Sequence, residues 1–204
     1  MTALNQSDHP PDYYPSECEI TQGILAMANA RATCFAKAKA IRLLLLDVDG
    51  VLTDGAITYT QHGEEIKSFN SRDGFGITLL KKAGIEVGII TARESGAVLR
   101  RARDLSIHHV FQDITEKARA YEEIRAKLNL SAREVAYVGD DWLDIGVIRR
   151  VGFAVAVADA DPEVKKLAHY VTKKEGGRGA VREVCDLILE AKGMRDALLD
   201  GYNR

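Results

Sequence analysis

Four short, almost wholly apolar runs recur along the chain, at residues 43–46, 87–90, 135–138 and 154–157, with helix-forming segments between them. Strands without polar alternation are apolar on both faces, so they are stable inside a parallel sheet that helices cover on each side. The pattern therefore predicts an α/β fold built on a parallel sheet. Helices are expected over 74–83, stopping at Gly84, from near Ser95, over 116–129, over 141–152 and over 180–192. One segment breaks the alternation. Ile57 and Tyr59, then Ile66 and Phe69, flank Gln61-His62-Gly63 and predict a β-hairpin inserted after the first strand.

Ahead of the first strand, residues 1–15 hold Pro10, Pro11 and Pro15 among polar residues and read as a mobile tail. Ser16 with Glu19 resembles a capping box that opens an amphipathic helix reaching about Ala40. The expected division is thus a tail and leading helix over 1–40, one catalytic domain over 41–193 and a C-terminal tail over 194–204. A formal charge of −2, from 28 basic and 30 acidic side chains, offers no field for nucleic acid or an anionic membrane surface. No apolar run approaches the length of a membrane span and the N-terminus lacks a signal pattern, so a cytoplasmic protein is expected. Cys18, Cys34 and Cys185 are odd in number and widely spaced, which fits free thiols rather than a disulfide or zinc framework. The adjacent pair His108 and His109 would face opposite sides of a strand and is assigned no chemistry.

In an open parallel sheet, ligands sit beyond the carboxyl ends of the strands. The first run is followed by Asp47-Val48-Asp49-Gly50-Val51-Leu52-Thr53-Asp54, the second by Thr91-Ala92-Arg93 and the third by Gly139-Asp140-Asp141 with Asp144, while Lys117 opens a helix. A carboxylate can attack phosphorus and divide one displacement into two easier ones, which makes Asp47 the candidate nucleophile. Asp49 can protonate the leaving oxygen and then deprotonate water. So many converging carboxylates would repel an anionic substrate unless a hard, oxygen-ligated cation joined them. Asp47, Asp140 and the backbone carbonyl of Asp49 are its candidate ligands. Thr91 offers a hydroxyl and an N–H to phosphoryl oxygens, and Lys117 a positive charge for the transition state.

In order and spacing, Asp47-Val48-Asp49-Gly50-Val51, Thr91, Lys117 and Gly139-Asp140-Asp141-Trp142-Leu143-Asp144 resemble the four signature motifs of haloacid dehalogenase-type phosphatases. Over about residues 37–193 the chain more closely resembles the branch of that superfamily that acts on 3-deoxy-D-manno-octulosonate 8-phosphate. That closer likeness lies in residues 47–55, Gly63-Glu64-Glu65, Phe69-Asn70-Ser71-Arg72-Asp73-Gly74 and the stretch beginning Gly176-Gly177-Arg178-Gly179. The resemblance implies a Rossmann-like α/β fold with no large cap domain, Mg2+ as cofactor, a phosphorylated sugar acid as substrate, a role in lipopolysaccharide precursor synthesis and a homotetramer. It also implies substrate contacts from Asp49, Asn70, Ser71, Arg72, Asp73, Gly74, Arg93, Arg101 and Lys117. Arginine grips a carboxylate through two parallel hydrogen bonds, so Arg72, Arg93, Arg101 and Arg178 are candidates for holding the acid group of such a substrate. Thr78 departs from the family pattern, which has arginine there.

Two other readings use the same residues. A phosphatase for a nine-carbon sugar acid phosphate, such as 2-keto-3-deoxynononate 9-phosphate, would share every motif. A phospho-accepting signalling domain also combines aspartates, threonine and lysine on an α/β sheet, but its acyl phosphate must persist, and Asp49 stands where it can activate water. The stretches between Asp54 and Thr91 and between Thr91 and Lys117 have no room for a lid domain. Closure over Asp47 is therefore expected from the hairpin, the C-terminal segment or another subunit.

Overall fold

The computed structural model describes residues 17–203, and the N-terminal tail expected over 1–15, together with the capping Ser16, lies outside them. Two compact units divide the chain after Thr33. The first contains, among the described residues, the leading part of helix α1 (Glu17–Lys39). The second begins at Cys34, so the last turns of α1 belong to it, with Cys34 and Ala38 in its core. No helix among the described residues is long and apolar enough to cross a membrane.

The second unit is built on strands β1 (Leu43–Leu46), β4 (Glu86–Ile90), β5 (His109–Phe111), β6 (Val135–Gly139), β7 (Phe153–Ala156) and β8 (Tyr170–Val171), all parallel, in the order β5-β4-β1-β6-β7-β8. Every residue of β1, β6 and β7 is buried, as their unbroken apolar sequences require. The hairpin forms as expected from β2 (Thr58–Tyr59) and β3 (Glu65–Ile66), antiparallel and outside the main sheet.

Around the sheet run α2 (Ser71–Lys82), α3 (Gly96–Asp104), α4 (Lys117–Lys127), α5 (Ile145–Ile148), α6 (Pro162–Leu167), α7 (Ala180–Ala191) and α8 (Arg195–Asp200). Two helices depart from expectation. α2 begins at Ser71 rather than Gly74, because the Asn70 side chain accepts the Arg72 N–H at 2.8 Å and caps it. The helix expected over 141–152 is instead a 3-10 turn, Trp142–Asp144, followed by the four residues of α5. Asp144 is drawn back to accept from the backbone N–H groups of Asp140 and Asp141, at 2.8 and 3.2 Å, which tightens the turn. The short strands β5 and β8 and the helices α6 and α8 had no periodic signal strong enough to be expected.

β1 lies at the centre, with β4 on one side and β6 on the other. Chain order reverses across it, so the crevice beyond its carboxyl end is the topological switch point where ligands bind in such sheets. Leu46 pairs with Ile89 and with Val138. One step further along that register, Asp47 stands between Ile90 and Gly139, and Thr91 and Asp140 follow on either side.

Candidate active site

Asp47 is buried, and its Oδ2 lies 2.8 Å from Lys117 Nζ. Lys117, also buried at the start of α4, donates at 2.7 Å to Asp144 Oδ1. A lysine this far from water requires its carboxylate partners. Burial alone would lower its pKa, but Asp47 and Asp144 together outweigh burial and raise it. Lys117 is therefore a fixed positive charge.

Asp144 has no exposed surface, and both of its oxygens are occupied. Oδ1 accepts from Lys117 and, at 2.5 Å, from the buried Tyr137 hydroxyl, and Oδ2 accepts the two backbone N–H groups described above. Burial and Asp144 push the Tyr137 hydroxyl well above its ordinary range, which keeps it a donor. Asp144 is thus saturated by protein donors, and its task is to hold Lys117 and the 139–141 turn in place.

Asp140 differs. Its Oδ1 is buried with no hydrogen-bond partner. Oxygens of Asp47, Asp140 and Asp144 all lie within 4.8 Å of one another. Burial, followed by the Asp47 and Asp144 charges, pushes Asp140 up to about 8. Burial, followed by Asp144, pushes Asp47 up to about 7 despite Lys117. One lysine does not neutralise three carboxylates, and an orphaned oxygen beside Asp47 is what a hard divalent cation with oxygen ligands would complete. With Asp144 already saturated, Asp47 and Asp140 are the carboxylates left to hold such an ion. Gly50 makes the approach possible: it has φ 85°, and a β-carbon there would overlap the Asp140 carboxylate.

Thr91 is buried at the end of β4, and its hydroxyl accepts the Arg93 N–H at 3.3 Å. Arg93 reaches toward the hairpin. It donates to Glu65 Oε1 at 3.0 Å and to the Tyr59 hydroxyl at 3.2 Å, with its Nε 3.8 Å from Asp49 Oδ2. The Asp49 side chain also accepts from Lys67, just past β3. Sequence reasoning missed Glu65 and Lys67 as site residues. Glu65 stood in a stretch of family likeness without a role, and the pair also shows an acid and a base two positions apart on a predicted strand, a spacing that puts both on one face.

The 70–74 segment splits by role. Asn70 caps α2 and donates to the Gly177 carbonyl at 3.3 Å, while Ser71 and Arg72 are exposed. Asp73 is buried, its Oδ1 accepts the Arg182 N–H at 2.7 Å and so anchors the start of α7, and its Oδ2 has no hydrogen-bond partner. Gly74 leaves room for the Arg101 guanidinium, which donates to the Asn70 carbonyl at 3.2 Å and lies 5.7 Å from the centre of the Phe69 ring. Arg178 is exposed beside Glu175, and Arg100 is paired with Asp104 on the surface. Thr78 donates to the Gly74 carbonyl within its own helix at 3.0 Å. No contact joins Arg72, Arg101 or Arg178 to Asp47 among the described residues.

Comparison with known proteins identifies the family. Residues 106–184 match the family model of haloacid dehalogenase-like hydrolases. The chain is 50% identical over 173 residues to the 3-deoxy-D-manno-octulosonate 8-phosphate phosphatase KdsC of Escherichia coli K12, covering 81% of this chain and 92% of that protein. The crystal structure of the corresponding phosphatase from Yersinia pestis superposes with a TM-score of 0.80 at 49% identity, covering 80% of this chain and 89% of that one. A third, from Moraxella catarrhalis in complex with magnesium, phosphate and KDO, gives a TM-score of 0.82 at 41% identity, covering 83% and 98%.

Proposed function

The chain belongs to the 3-deoxy-D-manno-octulosonate 8-phosphate phosphatases of the haloacid dehalogenase-like hydrolases, and on that premise we propose how its own residues carry out the reaction. It is a phosphoric monoester hydrolase that uses Mg2+ and releases phosphate from the eight-carbon sugar acid phosphate. The observation that carries the mechanism is Lys117 Nζ lying 2.8 Å from Asp47 and 2.7 Å from Asp144, beside the orphaned oxygen of Asp140.

Asp47 attacks phosphorus, and as the new O–P bond forms, Asp49 gives its proton to the departing sugar oxygen. Asp49, now a carboxylate, then takes a proton from water as that water attacks the aspartyl phosphate, which frees phosphate and restores Asp47. Asp47, Asp140 and the Asp49 carbonyl would hold magnesium, which when bound would supply positive charge against the phosphoryl oxygens. Lys117 adds a second, fixed charge, and Thr91 donates to a phosphoryl oxygen. Asn70, Ser71, Arg72, Asp73, Gly74, Arg93 and Arg101 form the side that receives the sugar acid. Arg93 and Arg101 are the groups suited to its carboxylate.

The reading extends to a cytoplasmic homotetramer. Ile57, Tyr59 and Ile66 stand 51, 59 and 50% exposed on a two-stranded hairpin that is too small to be stable by itself, which favours a second copy packed against it. The buried, unpaired thiols of Cys34 and Cys185 suit a reducing compartment.

The deciding experiment assays phosphate release from a panel of phosphorylated sugars and eight- and nine-carbon sugar acid phosphates, with magnesium and with chelator, beside Asp47→Asn. Turnover should be highest on the eight-carbon acid and absent with chelator or in the variant. Full turnover in Asp47→Asn would refute the mechanism, and preference for the nine-carbon acid would reassign the substrate.

A further inference from the structure

We propose that Lys67, on the hairpin, is a positioning residue that leaves Asp49 only one oxygen with which to exchange a proton. The inference rests on the phosphatase reading above. The Lys67 side chain is 2% exposed, although it follows a surface strand. It donates to Asp49 Oδ1 and lies 3.4 Å from Glu65 Oε1. Burying an ammonium is unfavourable unless carboxylates receive it, and Asp49 and Glu65 are its partners among the described residues.

An ammonium is only a donor, so an oxygen that accepts from it is not free to present a proton elsewhere. Asp49 Oδ2, by contrast, is buried with no hydrogen-bond partner, Arg93 Nε standing 3.8 Å away and beyond hydrogen-bonding distance. The two oxygens are therefore made unequal by a residue of the hairpin, and Oδ2 is the one left to serve the departing sugar oxygen and later the attacking water. A merely structural task, pinning the hairpin down, does not require Lys67. Arg93 already ties the hairpin through Glu65 at 3.0 Å and Tyr59 at 3.2 Å.

The test compares the parent, Lys67→Met and Lys67→Arg in single-turnover release of the leaving group, with magnesium, from two substrates. One is a sugar acid phosphate whose departing alkoxide needs a proton; the other is p-nitrophenyl phosphate, whose departing phenolate does not. Lys67→Met should slow the first by about 10-fold or more and the second several-fold less, the signature of impaired general acid catalysis. Lys67→Arg, which still donates to the carboxylate, should restore the parent's preference between them. Circular dichroism checks the fold. If the methionine variant does not fold, Lys67→Leu, which keeps part of the apolar stem and has no donor, is judged by the same ratio. Equal loss on both substrates, or no loss on either, would overturn the proposal. A parent that cleaves neither substrate would instead overturn the phosphatase reading beneath it.

Discussion

Gly176 approaches the peptide of Gly50 so closely that a β-carbon on Gly176 would overlap the Gly50 carbonyl oxygen. The neighbouring Gly177 N–H donates to the Val51 carbonyl at 2.9 Å, and the Gly176 N–H donates to Asp159 Oδ1 at 2.9 Å. The loop before α7 is thereby seated directly on the loop that carries Asp47 and Asp49. Gly176→Ala must push two backbones apart, so a loss of about 1–3 kcal/mol is expected, with turnover reduced further than stability alone explains. Thermal melts beside steady-state kinetics check this. A variant with both values unchanged would mean the two loops are not tightly seated.

Asp140 and Asp144 are neighbours with opposite expected phenotypes. Asp144 accepts four hydrogen bonds, so Asp144→Asn leaves Lys117 and the turn without a full set of partners, and a loss of about 3–5 kcal/mol is expected. Asp140→Asn removes a crowded charge whose Oδ1 has no protein partner, so in chelator it should melt no lower than the parent. Urea titrations of both variants separate these outcomes.

Magnesium should raise the melting temperature of the parent, because it binds a carboxylate cluster that exists in the folded chain. The same addition should leave Asp140→Asn nearly unmoved. Differential scanning fluorimetry across a magnesium series measures both, and an equal shift in the variant would remove Asp140 from the ligand set.

Acid should act through His169 as well as through the site. The Ala154 N–H donates to His169 Nδ1 at 2.9 Å, which requires an unprotonated ring nitrogen, and burial followed by the Lys37 charge holds this histidine below its ordinary value. Because its folded pKa is depressed, its contribution is complete above the unfolded value and is lost as pH falls through the folded one. His169→Gln keeps an acceptor that does not titrate. Between about pH 7 and about pH 5 the parent should lose more unfolding free energy than this variant, as read from urea melts. Parallel losses would show that the bond does not matter.

The strands β1, β4, β6 and β7 were legible because an apolar run buried on both faces admits few other uses. The candidate site residues Asp47, Thr91 and Asp140 were legible because each follows such a run, after β1, β4 and β6. Local sequence dictates this, since the strand fixes where its last residue points. Lys67 carried no comparable signal, and Glu65 and Gly176 stood in stretches of family likeness that gave them no role. Their importance comes from partners far along the chain, Arg93, Asp49 and Gly50, and only the packing of hairpin and C-terminal loop onto the sheet brings them together. The same holds for the division of labour between carboxylates. Sequence places Asp140 and Asp144 in one acidic turn, but which of them is saturated and which is left for a cation was decided by Lys117 arriving from α4, together with Tyr137 of β6. Periodicity reports what a residue does to its own element, whereas hydrogen-bond satisfaction in a buried site depends on atoms that only tertiary structure supplies.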